Sequence, residues 1–113
     1  DYNVIVKWRK IQNEGKRDYD QCLGAPFLLY TTGDGKVYTC GDFFDGDKKE
    51  EYLMGDLTKN SFKEILNSDR YWDIIKKVAC INVHKECYSN CRTDSVNDFL
   101  WQVKDTPEHV NFV

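Results

Sequence analysis

An α+β fold, a small antiparallel β-hairpin sheet with two to three helices packed beside it, is predicted by three features of this sequence. Two strand-like runs flank Gly33-Asp34-Gly35, a strong short-range hairpin signal. Helical periodicity with capping residues follows over residues 61–104. Five cysteines, Cys22, Cys40, Cys80, Cys87 and Cys91, flank the hairpin and lead up to the last helix.

Each element has its own local reason. Residues 4–8 read Val-Ile-Val-Lys-Trp, a strand-like run, and the chain is expected to continue a longer polypeptide. Residues 12–20 are polar and read as a linker or solvated loop. Residues 1–21 are therefore assigned to a linker and strand from a preceding domain, and 22–113 to the domain proper. Residues 27–32, Phe-Leu-Leu-Tyr-Thr-Thr, and 36–39, Lys-Val-Tyr-Thr, are the hairpin strands. Residues 41–51 are acidic and aperiodic, a loop, and 52–55 form a short buried segment ending in a turn.

Ser61-Phe62-Lys63-Glu64 has the capping-box form and starts a helix carrying Phe62, Ile65 and Leu66. Asn67-Ser68-Asp69 breaks it and caps a second helix over 69–78, whose predicted buried face is Tyr71, Trp72, Ile74, Ile75 and Val78. A third helix spans 93–104, with Val96, Phe99, Leu100 and Val103 as its stripe and Pro107 as its stop. The apolar tail, 109–113, is expected to dock.

Composition sets limits. A chain of 113 residues makes one domain. Its hydrophobic share is 41%, unchanged when the seven Tyr are exchanged for the seven Gly, and below the typical ~45–50%. Charged residues make up 31%, above the typical ~25%. The core is thin, and a covalent or metal staple would help it. A net charge of −3 argues against non-specific binding to nucleic acid or an anionic membrane surface. No apolar run approaches the ~20 residues of a membrane span.

The cysteines point to a metal. Five is odd, so paired disulfides would leave one thiol over. Five in 113 residues is also well under the ~8–10% of a disulfide scaffold. Thiols kept reduced, as in the cytoplasm, are metal ligands or catalytic groups. Cys22 and Cys40 have seventeen residues between them, and the Asp-Gly turn folds that gap back on itself. Cys87 and Cys91 have three residues between them, just before the last helix, whose N-terminal amides favour a thiolate at Cys91. Four thiolates so arranged suit a tetrahedral zinc ion or a [4Fe–4S] cluster, and the predicted fold is packed around this Cys-ligated metal site. Cys80, with six residues before Cys87, is an additional or alternative ligand or a spectator at a helix end. Around the ligands, Gly41 offers close backbone approach beside Cys40, and Arg92 offers a cation beside Cys91.

Other chemistries have weaker signals. A thiol enzyme would pair a cysteine with His84 or His109, but no third partner is in view. Asp42, Asp45 and Asp47 lack the spacing of a calcium loop and read as acidic surface.

Over residues 20–113 the sequence resembles the SPASM and twitch domains, the auxiliary iron–sulfur regions of radical SAM enzymes. Their pattern opens as Cys, nine to fifteen residues, Gly, four residues, Cys. Here it is Cys22, twelve residues, Gly35, four residues, Cys40. Gly55-Asp56-Leu57 and Ser61-Phe62-Lys63-Glu64-Ile65 resemble the Gly-Asn-Leu and Ser-Phe-x-Glu-Ile that follow in the family. The fuller closing motif, C-x2-C-x5-C-x3-C and a later Cys, is reduced to Cys80, Cys87 and Cys91, which implies a twitch-like version with one cluster. The run from Cys91-Arg92 through Asn97, Leu100 and residues 109–112 is similar too.

The resemblance implies one [4Fe–4S] cluster, used for electron transfer or substrate positioning, with zinc as the alternative metal or a replacement in the isolated domain. It implies a radical SAM barrel preceding in the same polypeptide as partner, with that enzyme's substrate as a further contact. S-adenosylmethionine would belong to the barrel alone. Cys87 and Cys91 have the first gap of the radical SAM C-x3-C-x2-C loop, but Asp94 stands at its third position, so this chain alone is not expected to generate a radical.

Overall fold

In the computed structural model the described residues are 3–6, 16–87 and 91–106. The hairpin forms where Asp34-Gly35 predicts it. Strand β1 (Tyr30–Thr31) pairs antiparallel with β2 (Lys36–Tyr38), Tyr30 opposite Tyr38 and Thr31 opposite Val37. The Gly35 N–H donates to Thr32 O at 2.9 Å and the Thr32 N–H to Lys36 O at 3.0 Å. Gly35 has φ +81°, which side chains rarely adopt, and a Cβ there would stand 3.0 Å from Thr58 Cγ2.

A third strand, β3 (Gly55–Asp56), pairs antiparallel with the far edge of β2, giving the order β1-β2-β3. Two residues have no readable period, so the sequence indicated only a buried segment and a turn at this place. The Asp56 carboxylate accepts from the Lys36 ammonium and, at 2.9 and 2.6 Å, from the Thr58 N–H and hydroxyl. These donors, Lys36 foremost, hold its carboxyl well below the usual carboxylate range. Gly55 lets the next helix touch the sheet: a Cβ on it would lie 2.7 to 2.9 Å from three side-chain carbons of Ile65.

That helix, α1 (Phe62–Leu66), opens on the predicted capping box. Ser61 Oγ accepts the Glu64 N–H at 3.3 Å, and Glu64 Oε2 accepts the Ser61 N–H at 2.7 Å. Helix α2 (Asp69–Ala79) is capped by Ser68, whose Oγ accepts the Tyr71 N–H at 3.2 Å. Tyr71, Ile74, Ile75 and Val78 are buried, the i, i+3, i+4, i+7 set. Trp72 is not on that face: it sits about 100° round the helix and is 52% exposed. A short helix, α3 (Val83–Glu86), follows on the Asn82 cap where the sequence pattern predicts no element, since four residues are too few for periodicity. Helix α4 (Asp94–Lys104) has the predicted length but another phase. Val96, Phe99 and Val103 are exposed, whereas Asn97 is fully buried with Leu100 and Trp101 partly so.

The described residues thus carry four helices where two to three were expected, all consistent with α+β. The core joins Val37, Tyr38 and Met54 to Ile65, Ile74 and Val78, and it includes Phe43 and Tyr52 from the acidic loop, their rings stacked at 4.0 Å. Arg70 ties this loop to α2, donating to the carbonyls of Leu53, Glu50 and Glu51 at 3.0, 3.0 and 2.9 Å.

Residues 3–6 form no strand, and Val4 and Ile5 are exposed; the rest of that predicted run, with Pro107 and the tail, lies outside the described residues. Residues 16–20 do not behave as a solvated linker, because Arg17 and Tyr19 are buried against α3 and α4. Among the described residues no helix is long and apolar enough to cross a membrane.

Candidate metal centre

Three segments bring cysteines to one end of the core. Cys22 precedes the tight turn Ala25–Phe27. Cys40 follows β2, and the Thr39 hydroxyl beside it donates to Ala25 O at 2.6 Å, drawing the end of β2 onto the Cys22 segment. Cys87 closes α3, and Cys91 stands three residues before α4. Cys22, Cys40, Cys87 and Cys91 line one cavity of about 480 Å³, with Tyr30, Phe44, Val78 and Ile81 among its apolar walls. All five cysteines are free thiols.

Each of the four sulfurs in the cavity meets a polar neighbour. Cys40 Sγ accepts the Asp42 N–H at 3.4 Å. Cys22 Sγ accepts Nδ2–H of Asn97 at 3.6 Å. Cys91 Sγ lies 3.0 Å from the Thr93 hydroxyl. The side-chain hydrogen bond between Cys87 and Cys91 pushes the Cys87 thiol up and, together with Thr93, holds Cys91 below the usual thiol range. Burial pushes the Cys40 thiol up.

The buried cation near these sulfurs is Arg17. Its Nη1 donates to Val83 O at 2.8 Å and its Nε to Asp94 Oδ1 at 3.3 Å. Tyr19 donates its hydroxyl to the same Asp94 oxygen at 2.5 Å. Burial disfavours the Arg17 charge, and its interactions with Cys87, Tyr19 and Asp94 more than offset that. The sequence offered Arg92 for this position. Arg92 lines the cavity but is exposed, while Arg17 was hidden in a stretch whose polarity resembled a linker.

Gly41 also lines the cavity, and a Cβ there would meet only the Phe44 ring, at 3.8 and 3.9 Å, an ordinary contact. Cys80 ends α2, exposed and away from the cavity wall. His84 is exposed, 3.2 Å from Asp20, and is not among the cavity residues; His109 lies outside the described residues. Asp42 lines the cavity, and Asp45 caps the turn Gly46–Lys48.

Among the described residues no three His, Cys, Asp or Glu side chains already converge on a single ion. The donor set nevertheless fits a thiolate-bound cluster. It comprises four thiols on one cavity wall, N–H and O–H donors directed at them, and a buried guanidinium to offset their charge.

Comparison with known proteins gives the same chemistry. The family model described as SPASM, an iron-sulfur cluster-binding domain, matches residues 22–93. No curated protein and no solved structure matches the chain.

Proposed function

This chain belongs to the SPASM family of iron–sulfur cluster-binding domains, and on that premise we propose that Cys22, Cys40, Cys87 and Cys91 hold one [4Fe–4S] cluster serving a radical SAM enzyme. The single observation that carries the ligand choice is the shared cavity, lined by these four sulfurs and not by Cys80. The cavity, about 480 Å³, has room for a polynuclear core, and the family match is to iron–sulfur cluster-binding domains.

When bound, such a cluster supplies one-electron transfer, and four cysteine ligands leave no iron open to substrate. The chain's residues prepare for that charge. Arg17 offsets the thiolates at the Cys87 side, the Asp42 amide faces Cys40, and apolar side chains line much of the cavity wall. The partner in this reading is a radical SAM barrel earlier in the same polypeptide, and the location is the cytoplasm, where thiols stay reduced.

Anaerobic reconstitution with iron and sulfide tests the reading. The expected result is a brown protein with broad visible absorption, lost in Cys22→Ala, Cys40→Ala, Cys87→Ala and Cys91→Ala and kept in Cys80→Ala. A colourless chain carrying stoichiometric zinc, or equal iron loss in all five variants, contradicts it.

A further inference from the structure

Asn97 is the residue whose chemistry the cysteine motif leaves unexplained. It is a polar side chain on the second turn of α4, only 1% exposed, and it lies beyond the family match, which ends at residue 93. Burying an amide is costly unless its hydrogen bonds are made. Here they are. Oδ1 accepts from the backbone N–H of both Leu23 and Gly24, each at 2.7 Å. Nδ2 donates to Thr93 O at 3.2 Å and to Cys22 Sγ at 3.6 Å. Two backbone donors fix which end of the amide is oxygen, so the nitrogen must face the sulfur.

We propose that Asn97 is a positioning residue for the metal centre: it anchors the Cys22 segment to α4 through the two amides that follow the cysteine and raises the cluster's reduction potential through its N–H to the Cys22 sulfur. The proposal rests on the reading that Cys22 is a cluster ligand. Physically, the two halves act together. Without the Oδ1 bonds, Leu23 N–H and Gly24 N–H lose their partner, and of the hydrogen bonds that tie residues 21–24 to α4 the Trp101 indole N–H to Gln21 O at 3.0 Å remains. Without the Nδ2 bond, the sulfur loses a donor that stabilises the more negative, reduced cluster. Serine or threonine could not replace it, since neither reaches two adjacent amides and a sulfur at once.

Asn97→Asp probes the donor half, with the nitrogen-15 measurement below telling loss of the N–H bond from the added carboxylate charge. It keeps an acceptor for both backbone amides and removes the N–H donor. The reconstituted variant should hold wild-type iron and sulfide while its midpoint potential shifts to a more negative value; an unchanged potential overturns the proposal. The unsubstituted chain gives a second test that needs no variant to fold. With nitrogen-15 placed only in asparagine side-chain amides, pulsed EPR of the reduced cluster should detect a coupled nitrogen, and its absence counts against the proposal. A third arm uses the metal-free chain. Alkylation by iodoacetamide, mapped by mass spectrometry, should rise severalfold at Cys22 in Asn97→Leu while Cys40 and the exposed Cys80 keep their wild-type rates. No change at Cys22, or an equal rise at Cys40, refutes the anchoring role. Failure of the wild-type chain to take up iron and sulfide would instead sink the cluster reading, and the alkylation arm would still decide whether Asn97 holds Cys22.

Discussion

The sheet end and the sulfur end of this domain are built in opposite ways. At the sheet end, these contacts span no more than 20 residues of sequence: Gly35 turns the hairpin, Gly55 admits Ile65, and Asp56 gathers Lys36 and Thr58. At the sulfur end, the links are polar and long-range. Arg17 reaches Val83 and Asp94, and Asn97 reaches back to Leu23, each pair 66 to 77 residues apart. Local contacts close short loops at small entropic cost, so the sheet end can hold itself. The sulfur end must close long loops with few bonds and four thiols, and a bound metal core would supply the missing cross-link.

The sharpest way to break this contrast is Gly55→Val. Its side chain must displace Ile65, so the sheet end should lose about 3 kcal/mol, read as a lower urea midpoint. A wild-type midpoint would show that the sheet end tolerates repacking and that the contrast is wrong. Next is Arg17→Met, which leaves Val83 O without its buried donor and Asp94 with only the Tyr19 hydroxyl. A loss of about 2 kcal/mol in the metal-free chain is expected, smaller than for a fully buried pair because Asp94 is 28% exposed. The same variant should also bind iron less tightly, whereas Gly55→Val, once folded, should not.

Acid probes the sheet end more gently. The Asp56 carboxyl is depressed in the folded state, so its contribution is fully present above the unfolded carboxylate range and fades as pH falls below about 4. The gap in melting temperature between wild type and Asp56→Asn should therefore narrow from pH 5 toward pH 2, as calorimetry of the metal-free chain would record. A gap independent of pH would remove Asp56 from the account. The smallest effect is expected for Cys80→Ala, within about 0.5 kcal/mol, because an exposed thiol at a helix end has little to lose.

How much of this the sequence revealed follows the same division. Capping at Ser61 and Ser68, the Asp-Gly turn and the α+β class are set by residues near one another, and all are present. The gathering of four cysteines was legible because the hairpin and the approach to the last helix dictate it topologically. Arg17, Tyr19 and Asn97 were not legible: their partners lie far along the chain, and polar residues carry no periodic signal of burial. In α4 the period was read correctly and the phase was off by one residue, since apolarity pointed to Val96 and Phe99 while hydrogen bonding, not hydrophobicity, turned Asn97 inward. Trp72 shows the same limit, a large apolar residue beside a buried stripe but not in it.

The most direct measurement is Mössbauer spectroscopy of the anaerobically reconstituted chain, with iron and sulfide assayed on the same sample. Four irons and four sulfides per chain, with the spectrum of a single thiolate-bound cubane, is the predicted result. A spectrum of one mononuclear iron, or a full cubane retained after Cys22→Ala, would contradict the claim that these four sulfurs enclose one cluster.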